Sequence, residues 1–398
     1  MLVMKLDVNV FKLSEPATAI VDERRIKIGI DGRELEGQRR GIGRYIFELC
    51  RELDRLLPNA EFYIYSREPI EMPVISRRWI PRIEPWSRAR RLSPLLWLKI
   101  RGGALCHNDG LDAYWGSAVF LPKLDRGVRT VSTVYDLCFR LTPETFVFGH
   151  LLGVRMFFAR DVRKADTVLS ISEGTSARLN SYLGRTADAI VRPAVSAEFR
   201  AQTEDEVLTC RRTYGLSFPY ILSVASWEPR KNLELLVRTV DDMKSRGLLG
   251  DRKLVLVGKP GCRFKHLESL LEHSISVLPL GYVPDEHLPS LYAGADAFVF
   301  PSIYEGFGIP VLEAQACGTR VVTSDIPELR EAGGGDAMYI QPTEEGIRTG
   351  ILAALKQQKS PPASYAHPTW REGAETLALA LLGRLRKRSE ATAGSGGE

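Results

Sequence analysis

Between Phe298 and Asp325 a buried strand, a glycine loop, a helix and a second strand follow one another with no spare residues. This order constrains the fold more than any other feature. Phe298 to Ser302 is a short apolar run ended by turn chemistry, as a buried strand is. Glu305 to Gly308 reads as the loop. Pro310 suits the first turn of a helix, where its missing N–H costs nothing. The helix is expected over Ile309 to Ala316, with Gly318 as the residue just beyond its end. Such a loop presents free N–H groups and the positive end of a helix dipole, which favour a phosphate. Glu305 and Glu313 flank it, eight positions apart. One carboxylate can stand above a diphosphate while the other lies along the helix. That suits a ligand with hydroxyl-rich groups at both ends of a diphosphate, a sugar nucleotide.

The same alternation runs through the chain. IKIGID (Ile26 to Asp31), EFYIYS (Glu61 to Ser66), VRTVSTVYDL (Val128 to Leu137) and TVLSIS (Thr167 to Ser172) are the strands of a first block. DAYWGS follows a turn at Asn108-Asp109-Gly110, and a helix is expected from Glu173 to Leu183. YILSVAS, KLVLVG, SVLPLGYV, DAFVFPS and TRVVTSD belong to a second block, with helices at Leu233 to Met243, Asp285 to Ala293 and Pro310 to Ala316. This spacing predicts an α/β protein of two doubly wound, Rossmann-like domains with parallel sheets. Ligands of such folds bind at the carboxyl ends of the strands, here in a cleft between the domains.

Segments are assigned as follows: an N-terminal extension over 1–25, a first domain over 26–200, a second over 201–368, a crossing helix over 369–388 and a disordered Gly/Ser/Ala tail over 389–398.

Composition narrows the class. With 398 residues, 44% hydrophobic and 26% charged, the chain suits two soluble domains. No apolar run reaches the roughly 20 residues of a membrane span, and residues 1–25 lack the core of a signal peptide, so a cytoplasmic protein is expected. Cys50, Cys106, Cys138, Cys210, Cys262 and Cys317 are scattered and read as reduced thiols. Neither they nor the six histidines have metal-ligand spacing, so no protein-bound metal or cofactor is expected. The net charge of +5 divides into +8 for residues 1–200 and −3 for the remainder. Arg77 to Arg101 interleaves arginine with tryptophan, a pattern that suits an anionic membrane surface or a surface helix with its tryptophans turned inward. Nothing else resembles a nucleic-acid module.

Glu305, Gly306, Gly308, Pro310, Glu313-Ala314, Gly318 and Pro327-Glu328-Leu329 together resemble the E-x7-E segment of the retaining nucleotide-sugar glycosyltransferases of family four, the group 1 glycosyl transferases, whose fold is GT-B. EPRKN (Glu228 to Asn232) and GIGRY (Gly41 to Tyr45) resemble two further elements of that family. The resemblance covers roughly residues 26–385.

It implies that Glu305 contacts the donor hexose and that Glu313 holds the ribose. Arg230 and Lys231 are implied at the leaving diphosphate, where a guanidinium fork and a mobile ammonium are both useful. Asn232 is a candidate N-cap. Gly41 and Gly43 would form a first-domain glycine loop; as G-x-G-x-x-G it fails at Ile46, which argues against a nicotinamide oxidoreductase. Tyr135 stands where many relatives place a histidine, and Ala225-Ser226 where many place an arginine. Asp136 reads as structural. Gly258 and Tyr282 lie in loops that would meet the nucleobase. Gly306, Phe307, Gly308, Ile309 and Pro310 complete the expected donor site.

The three motifs together look like bacterial mannosyltransferases of surface-polysaccharide assembly, which implies GDP-mannose as donor and a glycan or lipid-linked oligosaccharide as acceptor. A UDP-sugar-dependent transferase, or a homologue that binds nucleotide sugar with little turnover, remains open at this point.

Overall fold

The computed structural model describes residues 25–37, 41–143, 148–261, 264–357 and 368–386. The expected N-terminal extension, apart from Arg25, and the expected tail lie outside the described residues, as does Cys262. Two parallel sheets organise the molecule. The first contains β1 (Lys27–Asp31), β2 (Glu61–Ser66), β3 (Trp79–Ile83), β4 (Ala113–Gly116), β5 (Arg129–Val134), β6 (Thr167–Ser170) and β7 (Ala189–Ile190), in the order β3-β2-β1-β4-β5-β6-β7. The second contains β8 (Tyr220–Val224), β9 (Lys253–Val257), β10 (Val277–Gly281), β11 (Ala297–Phe300), β12 (Val321–Ser324) and β13 (Ala337–Ile340), in the order β10-β9-β8-β11-β12-β13. Every pairing within the two sheets is parallel. Both sheets reverse their order beside their first strand, at β1/β4 and at β8/β11. The crevice outside the carboxyl ends at such a switch point is where open α/β sheets bind ligands.

Side-chain alternation explains how each sheet is covered on both faces. In β8 and β11, Tyr220, Leu222, Phe298 and Phe300 join one apolar cluster, while Ile221, Ala297 and Val299 join another on the opposite face. That second face is covered by helices Leu233–Ser245 and Glu344–Lys356, which bury Leu236, Val237 and Val240 and Ile347 and Ile351. Such two-sided burial requires strands that are apolar where they are covered, as β11 is throughout and β9 is beyond its first residue, Lys253.

The structure corrects four local expectations. GIGRY is no loop: the helix Gly41–Leu56 begins at Gly41 itself, and Tyr45, Ile46 and Leu49 face the core. Trp79–Ile83, inside the basic stretch, is a sheet strand, because Trp79 stacks on Phe62 at 4.1 Å and is buried. Three strands without a strong signal also appear. Ala113–Gly116 is central, Ala189–Ile190 is only two residues long, and Ala337–Ile340 closes the edge of the second sheet. Asn232 occupies the position before a helix but makes no side-chain cap; its backbone is left-handed, and its amide donates to the Pro342 carbonyl instead. By contrast, Ile309–Ala316 is the helix expected there, with Cys317 at its end and Gly318 next at φ 75°.

Among the described residues no helix is long and apolar enough to cross a membrane. The remaining five cysteines are free and buried.

The helix Trp370–Leu382 returns to the first sheet. Trp370 meets Tyr45 edge-on at 5.8 Å, Gly373 sits against Leu49 and Val191, and Arg129 donates to the Leu381 carbonyl. Its start is a capping box, in which Thr369 and Glu372 each satisfy the other's backbone amide. Thr369→Ala removes half of that box. It is expected to lower stability by about 1 kcal/mol, read as a shift of the urea midpoint with unchanged slope.

Candidate active site

Two loops at the carboxyl ends of β8 and β11 bring the charged groups together. After β8 the chain makes a short turn, Pro229–Lys231, that points two cations inward. After β11 the loop 301–308 carries Glu305 toward them. Lys231 Nζ lies 2.6 Å from Glu305 Oε1 and Arg230 Nη1 lies 3.0 Å from Oε2, so each carboxylate oxygen has its own cation. All three side chains are mostly enclosed, at 10%, 16% and 8% exposure. Burial pushes the Glu305 carboxyl up, but Lys231 and Arg230 outweigh it and hold it below the ordinary glutamate value. Burial and the neighbouring guanidinium pull Lys231 down from an ordinary lysine, against the attraction of Glu305. The group is therefore a carboxylate clasped by two cations.

Arg230 is further held by Glu228 at 2.9 Å and by the Tyr304 carbonyl at 3.3 Å. Ser226, which replaces an expected arginine, donates to Glu228 at 2.7 Å. In this sequence the serine orders the acid that orders Arg230.

Glu313 stands one helical stretch away, buried on Ile309–Ala316. Tyr292 donates to its Oε2 at 3.0 Å, and Arg44 of the first domain approaches Oε1 at 3.4 Å. Arg44 also pairs with Glu198 at 2.8 Å and lies over the Phe199 ring. Burial pushes the Glu313 carboxyl up to about 7, with Arg44 and Tyr292 pulling the other way. Neither Arg44 nor Tyr292 was singled out by sequence reasoning. Arg44 does lie within GIGRY, and Tyr292 ends an apolar turn just before β11.

Gly308 precedes this helix at φ 117°, with Pro310 in its first turn. Phe307 is packed into the core, so any contact it makes with a ligand runs through its backbone; Ile309 is half-buried. Gly258 is a glycine for a physical reason. Its φ is 142°, and a Cβ there would stand 1.9 Å from the Ala225 carbonyl. Its amide donates to the Gly281 carbonyl, which draws the loops after β9 and β10 together. There Tyr282 is half exposed, with Lys259 Nζ 4.1 Å from its ring centre. Gly41 and Gly43 lie in the first turn of their helix, close to Arg44.

Tyr135 is placed differently from the expectation. Its ring is buried against Tyr45 at 5.3 Å, and its hydroxyl donates to the Ser117 carbonyl at 2.7 Å. The phenol thus serves the first domain's interior, and it is the backbone of Tyr135 that meets the Glu305 loop. Asp136 accepts from the Cys138 amide at 2.9 Å, a local turn.

Residues 215–361 match the family described as Glycosyl transferases group 1. The O-antigen chain mannosyltransferase B of Escherichia coli is 29% identical over 360 residues, 85% of this chain and 91% of that protein. Among solved structures, sucrose-phosphate synthase from Thermosynechococcus elongatus aligns over 93% of this chain and all of its own, with a TM-score of 0.66 at 19% identity. WaaG, a glycosyltransferase involved in lipopolysaccharide biosynthesis, aligns over 94% of this chain and all of its own, with a TM-score of 0.64 at 18% identity. Residues 215–361 carry the group 1 glycosyl transferase family, and the two facing α/β domains of the chain have the GT-B fold. Family and fold together support transferase activity.

Glu313 gives a pH prediction. A carboxyl whose pKa is higher when folded holds a proton that the unfolded chain has lost. Its contribution to stability is complete below about pH 4.3 and is lost as pH rises through about 7. The stability of Glu313→Gln relative to the parent should therefore grow by roughly 1–3 kcal/mol between pH 5 and pH 8. Urea unfolding of both proteins at the two pH values measures it; a constant gap would contradict the buried, shifted carboxyl.

Proposed function

We propose that this chain is a retaining, metal-independent hexosyltransferase that moves mannose from GDP-mannose to a hydroxyl of a glycan or lipid-linked oligosaccharide in cell-surface polysaccharide synthesis. The observation that carries the reading is the Glu305 carboxylate clasped by Lys231 and Arg230 beside the glycine-led helix that bears Glu313. A sugar nucleotide offers what each part needs. Its diphosphate suits the two cations and the free amides of the helix start. Hexose hydroxyls suit Glu305, and ribose hydroxyls suit Glu313 once Arg44 yields. The similarity to an O-antigen mannosyltransferase supports mannose and a surface polysaccharide as the setting.

In this reading the transition state is loose and oxocarbenium-like. Charge builds on the leaving diphosphate, and Lys231, Arg230 and the helix dipole stabilise it more there than in the ground state. Glu305 orients the sugar. A departing phosphate oxygen accepts the acceptor's proton on the same face, so no second carboxylate is required at the anomeric carbon. Closure of the cleft keeps water from competing with the acceptor.

The acceptor side fits a lipid-linked substrate at a membrane surface. Within the Arg77–Arg101 stretch, Trp79 and Trp97 are interior, but Trp86, Leu96 and Ile100 are exposed, as are Arg88 and Arg91. The helix Phe148–Lys164 packs nearby and exposes Leu152 and Met156. We read this as a peripheral contact with anionic lipid. Vesicles containing phosphatidylglycerol should sediment the protein at low salt and release Trp86→Ala/Leu96→Ser by at least several-fold, whereas neutral vesicles should sediment neither.

Donor identity is tested by thermal shift with GDP, UDP, ADP and their sugar conjugates. GDP and GDP-mannose should stabilise the protein, by about 2.7 kcal/mol at a hundredfold excess over Kd, and Glu313→Ala should lose that effect. A response to UDP alone keeps the transferase and discards mannose. Glu305→Ala and Lys231→Ala should each reduce transfer by at least about a hundredfold with the circular dichroism spectrum intact. Near-parental activity in both would overturn the site.

A further inference from the structure

Glu305 stands between two residues that are held from the opposite domain. On one side, Tyr304 Oη accepts a hydrogen bond from the Leu137 amide at 2.7 Å. On the other, the Gly306 carbonyl accepts from Ser172 Oγ at 2.7 Å and from Thr175 Oγ1 at 3.1 Å. Ser172 caps the helix Glu173–Leu183, its oxygen accepting from the Thr175 amide at 2.9 Å. With that lone pair committed, its proton is directed at Gly306. Thr175 Oγ1 also lies 3.1 Å from the Tyr135 carbonyl, so it joins both domains' backbones through one hydroxyl. Position 306 must be glycine for this approach, since a Cβ would stand 2.3 Å from the Tyr135 carbonyl. Ser172, Thr175 and Tyr304 are all buried, so leaving these groups unpaired is costly. Flanking ion pairs hold the same junction: Arg178 with Glu328 at 2.5 Å, and Arg192 with Glu331 at 2.6 Å.

We infer that Thr175 and Ser172 are positioning residues for Glu305. They fix the loop backbone only when the domains meet, so the sugar-facing carboxylate is set by closure rather than by the second domain alone. This rests on the reading of Glu305 as the group that faces the hexose. Nucleotide affinity and turnover then separate. The nucleoside diphosphate docks on Lys231, Arg230, Glu313 and the glycine-led helix, which the Thr175 hydroxyl does not touch, whereas transfer needs Glu305 in place.

Thr175 is the residue to change, because Ser172 also caps a helix. Thr175→Val keeps the shape and loses the hydroxyl; Thr175→Ser returns it. With the full chain, kcat should fall about tenfold in Thr175→Val and return to within about twofold of the parent in Thr175→Ser. Binding of GDP and UDP, measured calorimetrically, should change less than about twofold in either. Amide exchange across 304–308 should quicken in Thr175→Val, while exchange in Ile309–Ala316 should not.

Unchanged kcat in Thr175→Val overturns the inference. So does a joint loss of kcat and nucleotide binding that serine fails to restore, which marks a merely structural threonine. If the parent protein transfers no sugar from any nucleotide, the functional reading fails by itself. The exchange measurement still decides the clamp: faster exchange at 304–308 supports it, and unchanged exchange overturns it.

Discussion

Three side chains, one acid and two bases, are removed from water at the point where the two domains face each other. Isolated, any one of them would be expelled from such a place, because desolvating a charge costs several kcal/mol. Together, Glu305, Lys231 and Arg230 satisfy one another with short hydrogen bonds, and Glu228, paired with Arg230, completes a cluster of two cations and two carboxylates. The cations are held by these partners in place of water, and they lie beside a helix N-terminus whose dipole has the same sign. The rest of the site is organised around this cluster. Ser226 and Glu228 brace Arg230, the Gly258 and Gly281 loops close in beside them, and the first domain supplies the far wall.

The contact between the domains is polar where the site is and apolar around it. Tyr45, Tyr135, Ile171, Phe307 and Leu329 all belong to one cluster that runs from one domain into the other. Hydroxyls and carbonyls take over at the Glu305 loop. An interface of this kind can separate without exposing one continuous apolar face, as a cleft that must admit and release substrates requires.

Much of the architecture was legible because two-sided burial leaves a strong mark on sequence. β2 was readable over its full length, as was the helix Ile309–Ala316, since Pro310 and Gly318 mark its ends chemically. Trp79–Ile83 and Ala337–Ile340 were not readable. They are edge strands, only partly buried; Pro81 and Arg82 interrupt the first, the second is only four residues long, and their neighbours make them strands. At the site, Glu305, Lys231 and Arg230 were identified by motif, and their mutual geometry could not be. Tyr135 shows the opposite case. Its position next to the cleft was evident, yet the direction of its ring depends on Tyr45 and Ser117, both distant in sequence. Arg44 and Tyr292 escaped notice because their partner, Glu313, is reached only through tertiary structure.

The helix Trp370–Leu382 has a consequence for the order of assembly. Leu377, Ala378 and Leu381 are wholly buried, in the same cluster as Leu49 and Trp115. During synthesis the first domain therefore emerges lacking part of its interior, and the missing part arrives only after every strand of the second domain has left the ribosome. The second sheet, continuous in sequence from β8 to β13, can form without waiting. Folding would then proceed against the order of translation, the later domain settling before the earlier one is complete.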